Sequence, residues 1–296
     1  MSIRAQEMVD NKENTVKGYV DYGQKAEKFN LEFDPSKLAS EVLAFQIVSY
    51  TTSFKIPIAH FFIKGITADN QSKLINAAIQ KLYDINIIVR SITCDGTQTN
   101  FSSLELLGCD FNINQMKTAF KHPSHSSDIY IIMDPCHMLK LCRNTFHDMI
   151  IKSSDGIVDF NYVRKLHDVQ TKEGFKFANK LSATHIKYKN KKMKVSLASQ
   201  TISSGVADGI EFLRACGLRE FNNSEATCKF IRVFDRIFDI MNSRNAYGTS
   251  YKSPLSMSNF KYWNQIFLDS ENYIQQLTIG EQNLLKHKKK LLLWVL

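Results

Sequence analysis

The spacing of apolar residues changes character partway along this chain, and that change limits the fold more than any other feature. In the first half the apolar residues come in short runs rich in β-branched side chains. These are Glu41–Tyr50 (EVLAFQIVSY), Ile58–Ile63 (IAHFFI), Ile85–Cys94 (INIIVRSITC) and Asp128–Met133 (DIYIIM). Runs of that length and composition fit strands. Lys55–Pro57 separates the first two, which predicts an antiparallel pair. Lys17–Gly23 reads as a short extended piece ending at a turn. Asp69–Tyr83 carries Leu74, Ile75, Ala78, Ile79 and Leu82 at helical spacing, with Asp69 as the expected N-cap. Ser102–Leu107 and Cys136–Phe146 predict two further helices in this half.

Past about residue 155 helical periodicity takes over. Phe175–Ala183, Val206–Cys216, Ala226–Met241 and Phe260–Leu277 fit amphipathic helices. The expected class is therefore α/β followed by mostly α. The polar Ser153–Gly156 (SSDG) marks the expected boundary, giving domains 1–154 and 155–296.

Composition narrows the function classes. Hydrophobic residues at 44% and charged residues at 23% exclude a compositionally disordered chain. A formal net charge of +9 favours an anionic partner such as nucleic acid or a nucleotide, with a solvated basic surface as the bland alternative. The cysteines are scattered without a CxxC pair, so free thiols in a reducing, intracellular compartment are expected. Apolar runs such as Leu291–Leu296 are too short to span a bilayer, and no membrane partner is expected. The basic run Lys286–Lys290 reads as a solvated helix face or tail.

Two aspartates stand where predicted strands stop: Asp95 after Ile92-Thr93-Cys94, and Asp134 after Ile131-Ile132-Met133. Ligands of α/β sheets gather at the carboxyl ends of strands, and a carboxylate there can bind Mg²⁺. The competing reading is that each caps a turn, as Asp-Gly and Asp-Pro do. Cys136, His137, Cys142 and His147 have a spacing that matches no common zinc site. Lys187–Lys194 (KYKNKKMK) offers point charges to phosphate or a solvated turn. A GxxxxGK[ST] loop is absent, so a nucleotide would need another kind of site. Phe234-Asp235 and Phe238-Asp239 repeat at helical spacing. Core packing explains the rings, yet a ring beside an acid can also stack on guanine and accept its edge hydrogens.

Taken in order, EVLAFQIVSYTTSFKIPIAHFF, SITCDGTQTN, IYIIMDPCHMLKLCRN, ANKLSATHI, KKMKVSLASQTISSGVADGI and FDRIFDIMNSR resemble P-element-type DNA transposases and their THAP-domain-containing relatives. The resemblance implies an incomplete ribonuclease-H-like mixed sheet followed by a helical GTP-binding insertion. It implies an activity of Mg²⁺-dependent DNA cleavage and joining, with GTP as a structural cofactor and transposon-end DNA as partner, in the nucleus. By this match Asp95 is the second acid of a catalytic triad and a metal ligand, and Asp134 is a weaker metal candidate. Lys194 approaches phosphate with Val195 beside it, Ser203 adds a hydrogen bond, and Lys180 is a looser phosphate candidate. Phe238 stacks on guanine, Asp239 reads its edge and Asn242 supports it, while Phe234-Asp235 reverts to core and surface.

The family's first acid belongs to an Asp-Glu-Met-Ser pattern and its third to a QDxLE-type segment, whereas this sequence runs from Met1-Ser2-Ile3-Arg4 to Leu296. Only one triad acid is therefore expected, with Glu41–Tyr50 and Ile85–Cys94 flanking an unfilled strand position. Three readings stay open: an incomplete transposase, inactive alone; a GTP/DNA-binding module that regulates an intact transposase or self-associates; and a non-functional remnant.

Overall fold

The computed structural model describes residues 1–10, 15–23, 26–112, 115–178, 180–243 and 245–284. The basic run at 286–290 and the apolar 291–296 lie outside the described residues. The chain divides into two compact units. The first comprises Met1–Ile92, Thr97–Phe111 and Lys117–Ile131; the second comprises Thr93–Gly96, Asn112–Met116 and Ile132–Leu296.

In the first unit, β1 (Met8–Asp10) pairs antiparallel with β2 (Thr15–Lys17). The main hairpin joins β3 (Glu41–Val48) to β4 (Lys55–Ile63). Lys55–Pro57, expected as a break, lies inside β4. Gln46 pairs with Pro57 while Phe45 pairs with Ala59, so the register slips at the proline. Proline has no N–H for the ladder and is tolerated at such a bulge. Asp21 exchanges backbone bonds with Phe62 at 2.9 and 3.0 Å, which sets Lys17–Gly23 along β4, away from the position between β3 and β5 (Ser91–Cys94). Val42 receives Met1 on the edge of β3, its N–H donating to the Met1 carbonyl at 2.7 Å. Val20, Tyr22, Ile63 and Leu74 form a small core, with Leu43, Phe45 and Phe61 packed against it.

Helix α1 (Ala68–Tyr83) is capped two residues before the expected position: Thr67 accepts the Asn70 N–H at 3.2 Å, so Asp69 is first-turn charge. The Asn70 amide both donates to and accepts from the Glu32 backbone, at 2.6 and 3.2 Å, and so fixes the loop before β3. Helix α2 (Gln98–Leu106) buries Phe101 edge-on to Phe111, with centroids 4.9 Å apart. Strands β5, β6 (Ala119–Lys121) and β7 (Asp128–Met133) form a sheet in the order β5-β7-β6. Tyr130 N–H donates to Arg90 O and Asp134 N–H to Cys94 O; both bonds advance in the same direction, so β5 and β7 run parallel. β3–β4 is a separate sheet, so β3 and β5 do not pair.

The main stretch of the second unit, from Ile132, carries α3 (Pro135–Asp148) and the hairpin β8 (Ile151–Ser153) and β9 (Gly156–Val158). Its turn is the SSDG expected as a domain boundary, closed by Gly156 at φ 133°. Then follow α4 (Asn161–Glu173), α5 (Ala183–Ile186), α6 (Val195–Thr201), α7 (Ser204–Ala215), α8 (Glu225–Met241) and α9 (Phe260–Gln275). β10 (Thr278–Ile279) and β11 (Gln282–Asn283) extend the hairpin in the order β11-β10-β8-β9.

The helix expected at Phe175–Ala183 is not formed. Gly174, at φ 74°, ends α4 in the left-handed region, and Ala178 N–H donates to the Gln170 side chain at 2.6 Å instead of continuing a helical ladder. The expected division after residue 154 falls inside the second unit, because α3 belongs to the helical core: Phe146 packs 5.1 Å from both Phe160 and Phe230. Phe230 also meets Phe234 at 4.6 Å along α8.

Candidate acid pair and nucleotide face

Because β5 and β7 are parallel neighbours, their ends bring Asp95 and Asp134 to adjacent backbone positions, joined by the Asp134 N–H to Cys94 O bond at 2.8 Å. Asp134 also caps α3. Its Oδ1 accepts the Cys136 N–H at 3.1 Å and its Oδ2 accepts the His137 N–H at 3.0 Å, with Pro135 opening the helix. Both oxygens thus serve the capping role that Asp-Pro allowed. Among the described residues no group of three or more His, Cys, Asp or Glu is arranged to hold a metal. The donors among these described residues do not fit a two-metal centre. The cysteine–histidine cluster divides similarly: the Cys142 thiol is fully buried and pushed well above its ordinary range, while His147 contacts Asp148 and the Ile186 carbonyl.

The nucleotide candidates fall in two groups. The first lies at the end of α8. Phe238 is 7% exposed, its ring lying in the core with little surface for a base to reach. Asp239 is half-buried, with Oδ1 3.3 Å from Lys252 Nζ. Asn242 ends the helix, its N–H donating to the Phe238 carbonyl at 2.9 Å, and its Oδ1 accepts the Cys136 thiol at 3.9 Å. The second group lies at helix starts. Lys194 precedes α6 and is exposed, and Val195 is its first residue. Ser203 precedes α7, where its hydroxyl donates back to the Gln200 carbonyl at 3.1 Å. Lys180 is exposed on the turn that buries Ala178 and Leu181.

Helix α3 touches both groups. Its first turn meets Asn242 through Cys136, and two turns later Arg143 anchors the basic run. Arg143 is fully buried, stacks 3.8 Å from the Tyr188 ring, and donates from Nη2 to the Lys192 carbonyl at 3.0 Å. Burial lowers its pKa from the ordinary arginine value. Lys187–Lys194 is thus a held loop with its lysine heads outward.

Asp235 corrects the expectation of a plain surface residue. Phe234 is core, but the Asp235 Oδ2 accepts both the N–H of Ser204, at 2.8 Å, and its hydroxyl, at 2.6 Å. Burial raises its carboxyl above the usual range, partly offset by those two bonds. The signal was the four-residue repeat itself, which puts Asp235 on the face of Asp239. Lys252, Cys136 and Arg143 carried no comparable signal. An adjoining face of α8 lines an open groove of about 490 Å³ with Lys229, Arg232 and Arg236, together with Tyr273 of α9, and the groove contains none of the candidate residues.

The comparisons with known proteins follow this division. Residues 1–108 match the family described as TNP-like, RNase H N-terminal domain, and residues 136–254 match TNP-like, GTP-binding insertion domain. The chain is 30% identical to the human DNA transposase THAP9 over 294 residues, covering 98% of this chain and 32% of that protein. It spans, therefore, about a third of the curated relative it matches. Its fold matches the Drosophila P element transposase strand transfer complex with a TM-score of 0.78 at 20% identity, over 96% of this chain and 59% of that one. The chain is a P-element-type transposase relative, joining an RNase H-like N-terminal domain to an insertion domain of the GTP-binding family.

Proposed function

We propose that this chain binds GTP through the end of α8 and contributes nucleotide-dependent architecture to a P-element-type transposase. The observation that carries the reading is the match of residues 136–254 to the GTP-binding insertion family, with Phe238, Asp239 and Asn242 gathered at one end of one helix. Guanine presents two adjacent N–H donors, at N1 and N2, that a carboxylate can accept together; adenine presents a donor beside an acceptor and meets the same carboxylate poorly. Asp239 therefore selects guanine and Asn242 supports the edge, while Phe238 backs the end of α8 from the core. Lys194, Val195 and Ser203 take the sugar–phosphate side, with Lys180 as an outlying charge. The sequence carries no P-loop motif, and GTP is read here as a structural cofactor.

Transposon-end DNA is the proposed partner, favoured by the +9 charge, in the nucleus. Asp95 would contribute one carboxylate to a Mg²⁺ site. The capping of α3 by Asp134 supports the reading that the described donors leave that site unfinished and that the chain by itself does not cut DNA. The same observation favours a second reading, in which the chain acts through GTP and DNA binding alone, by associating with an intact transposase or with itself.

Calorimetric titration of the full chain with GTP, and separately ATP, tests the first reading. Saturable binding of GTP alone, weakened in Asp239→Ala, supports it. A folded protein that binds neither nucleotide, or binds both equally, contradicts it.

A further inference from the structure

We infer that Asp235 is a positioning residue of the nucleotide site, locking the start of α7 against the guanine-reading end of α8. This rests on the GTP reading above and concerns a residue with no expected role in it. Ser203 sits at the N-cap of α7 yet makes no cap, since its hydroxyl donates to Gln200. The first N–H of α7 is instead satisfied from across the packing, by the Asp235 carboxylate, which also takes the Ser204 hydroxyl on the same oxygen. Two bonds to one carboxyl oxygen clamp the helix N-terminus, where an acceptor is favoured. Packing does not replace it at the next residue: a Cβ on Gly205 would find no atom within 4 Å.

Asp239 lies one turn beyond Asp235 on the same face, and Ser203 immediately precedes the clamped residue. The clamp therefore fixes the separation between the base-reading acid and the hydroxyl proposed for the sugar–phosphate side. Without it the base still meets Asp239, but Ser203 is no longer held in place. A residue acting this way affects ligands that carry phosphate more than ligands that do not.

The test titrates GTP and guanosine into the full chain and into Asp235→Ala, Asp235→Asn, Ser204→Ala and the Asp235→Ala/Ser204→Ala pair, with melting curves for each. Asp235→Ala is expected to weaken GTP about tenfold while guanosine changes less than about twofold. Asp235→Asn, whose amide oxygen can accept the Ser204 N–H, recovers most of the loss. The double variant binds no worse than the weaker single one, as two ends of one interaction should. If Asp235→Ala does not fold, Asp235→Asn and Ser204→Ala carry the test. Wild-type binding of GTP with unchanged binding by Asp235→Ala overturns this inference and leaves the GTP reading standing. Equal losses for GTP and guanosine, without rescue by Asn, also overturn it. Failure of the wild type to bind GTP removes both.

Discussion

The hairpin β3–β4 and the helix α8 contain similar proportions of apolar residues and use them differently. No residue of β3 is fully buried, and Val48 at its end is 68% exposed, followed by Tyr50 at 73%. α8 buries Phe230 and Phe234 completely, and packs Phe230 against Phe146 from α3. A helix presents an apolar stripe that its neighbours in the same unit can cover, whereas a strand also needs partners along both edges. Among the described residues the edges of β3 and β4 receive bridges and single backbone bonds, from residues 1–3 and Asp21. The helical unit thus has the means to hold a site rigidly, and Asp95 and Asp134 at the ends of β5 and β7 fall within it; the first unit has less packing behind its hairpin.

That contrast can be broken at several points. The largest effect is expected from Phe234→Ala, which empties a fully buried site in α8. It should cost about 3–5 kcal/mol by chemical denaturation and abolish GTP binding, whereas Val48→Thr on β3 should change stability by less than about 0.5 kcal/mol. Comparable losses from both would mean the two regions are not different in kind. Next in size, Asp239→Ala leaves guanine's donors unmatched and should weaken GTP by about tenfold to a hundredfold while leaving the melting curve nearly unchanged, because the residue is half-buried and its ion-pair partner, Lys252, is exposed.

A smaller effect concerns pH. The Asp235 carboxyl is raised in the folded protein, chiefly by burial. A raised folded pKa means that the native state binds the proton more readily than the unfolded chain. Its contribution to stability is therefore full below the unfolded value and lost as pH rises through the folded one. Melting of wild type against Asp235→Asn should show the wild type gaining on the variant as pH falls from neutral toward 4, the ordinary carboxylate range. A gap that moves the other way would contradict the assignment. The smallest effect is at Lys252, which occupies the carboxylate that guanine would use. Removing this partly exposed ion pair in Lys252→Ala should tighten GTP less than about fivefold, measured by titration; weaker binding would make Lys252 a ligand contact instead of a competitor.

Much of this was legible in the residues. β5 and β7 stop at Asp95 and Asp134 as their apolar runs do, and α8 follows Ala226–Met241 to within one residue. Less legible were elements whose signal is non-local. α6 reads as a stretch of small residues, and is a helix because Leu197, Ala198 and Thr201 are buried in the helical unit. The SSDG segment looked like a boundary because it is polar, and is the turn of a hairpin. Asp235 looked like surface because its partner, Ser204, is 31 residues away in the chain. The role of Asp134 was written in its Pro135 neighbour, which favours a cap, while its position at a strand end favoured a ligand.

The most direct test of the central claim is amide hydrogen exchange of the full chain with GTP, with ATP, and with no nucleotide. The account predicts that GTP alone slows exchange at the end of α8, through Asn242, and at the start of α7 around Ser203–Val206, while β3 and β4 exchange at the same rate in all three. Protection by GTP and ATP alike, or protection confined to the strand unit, would contradict it.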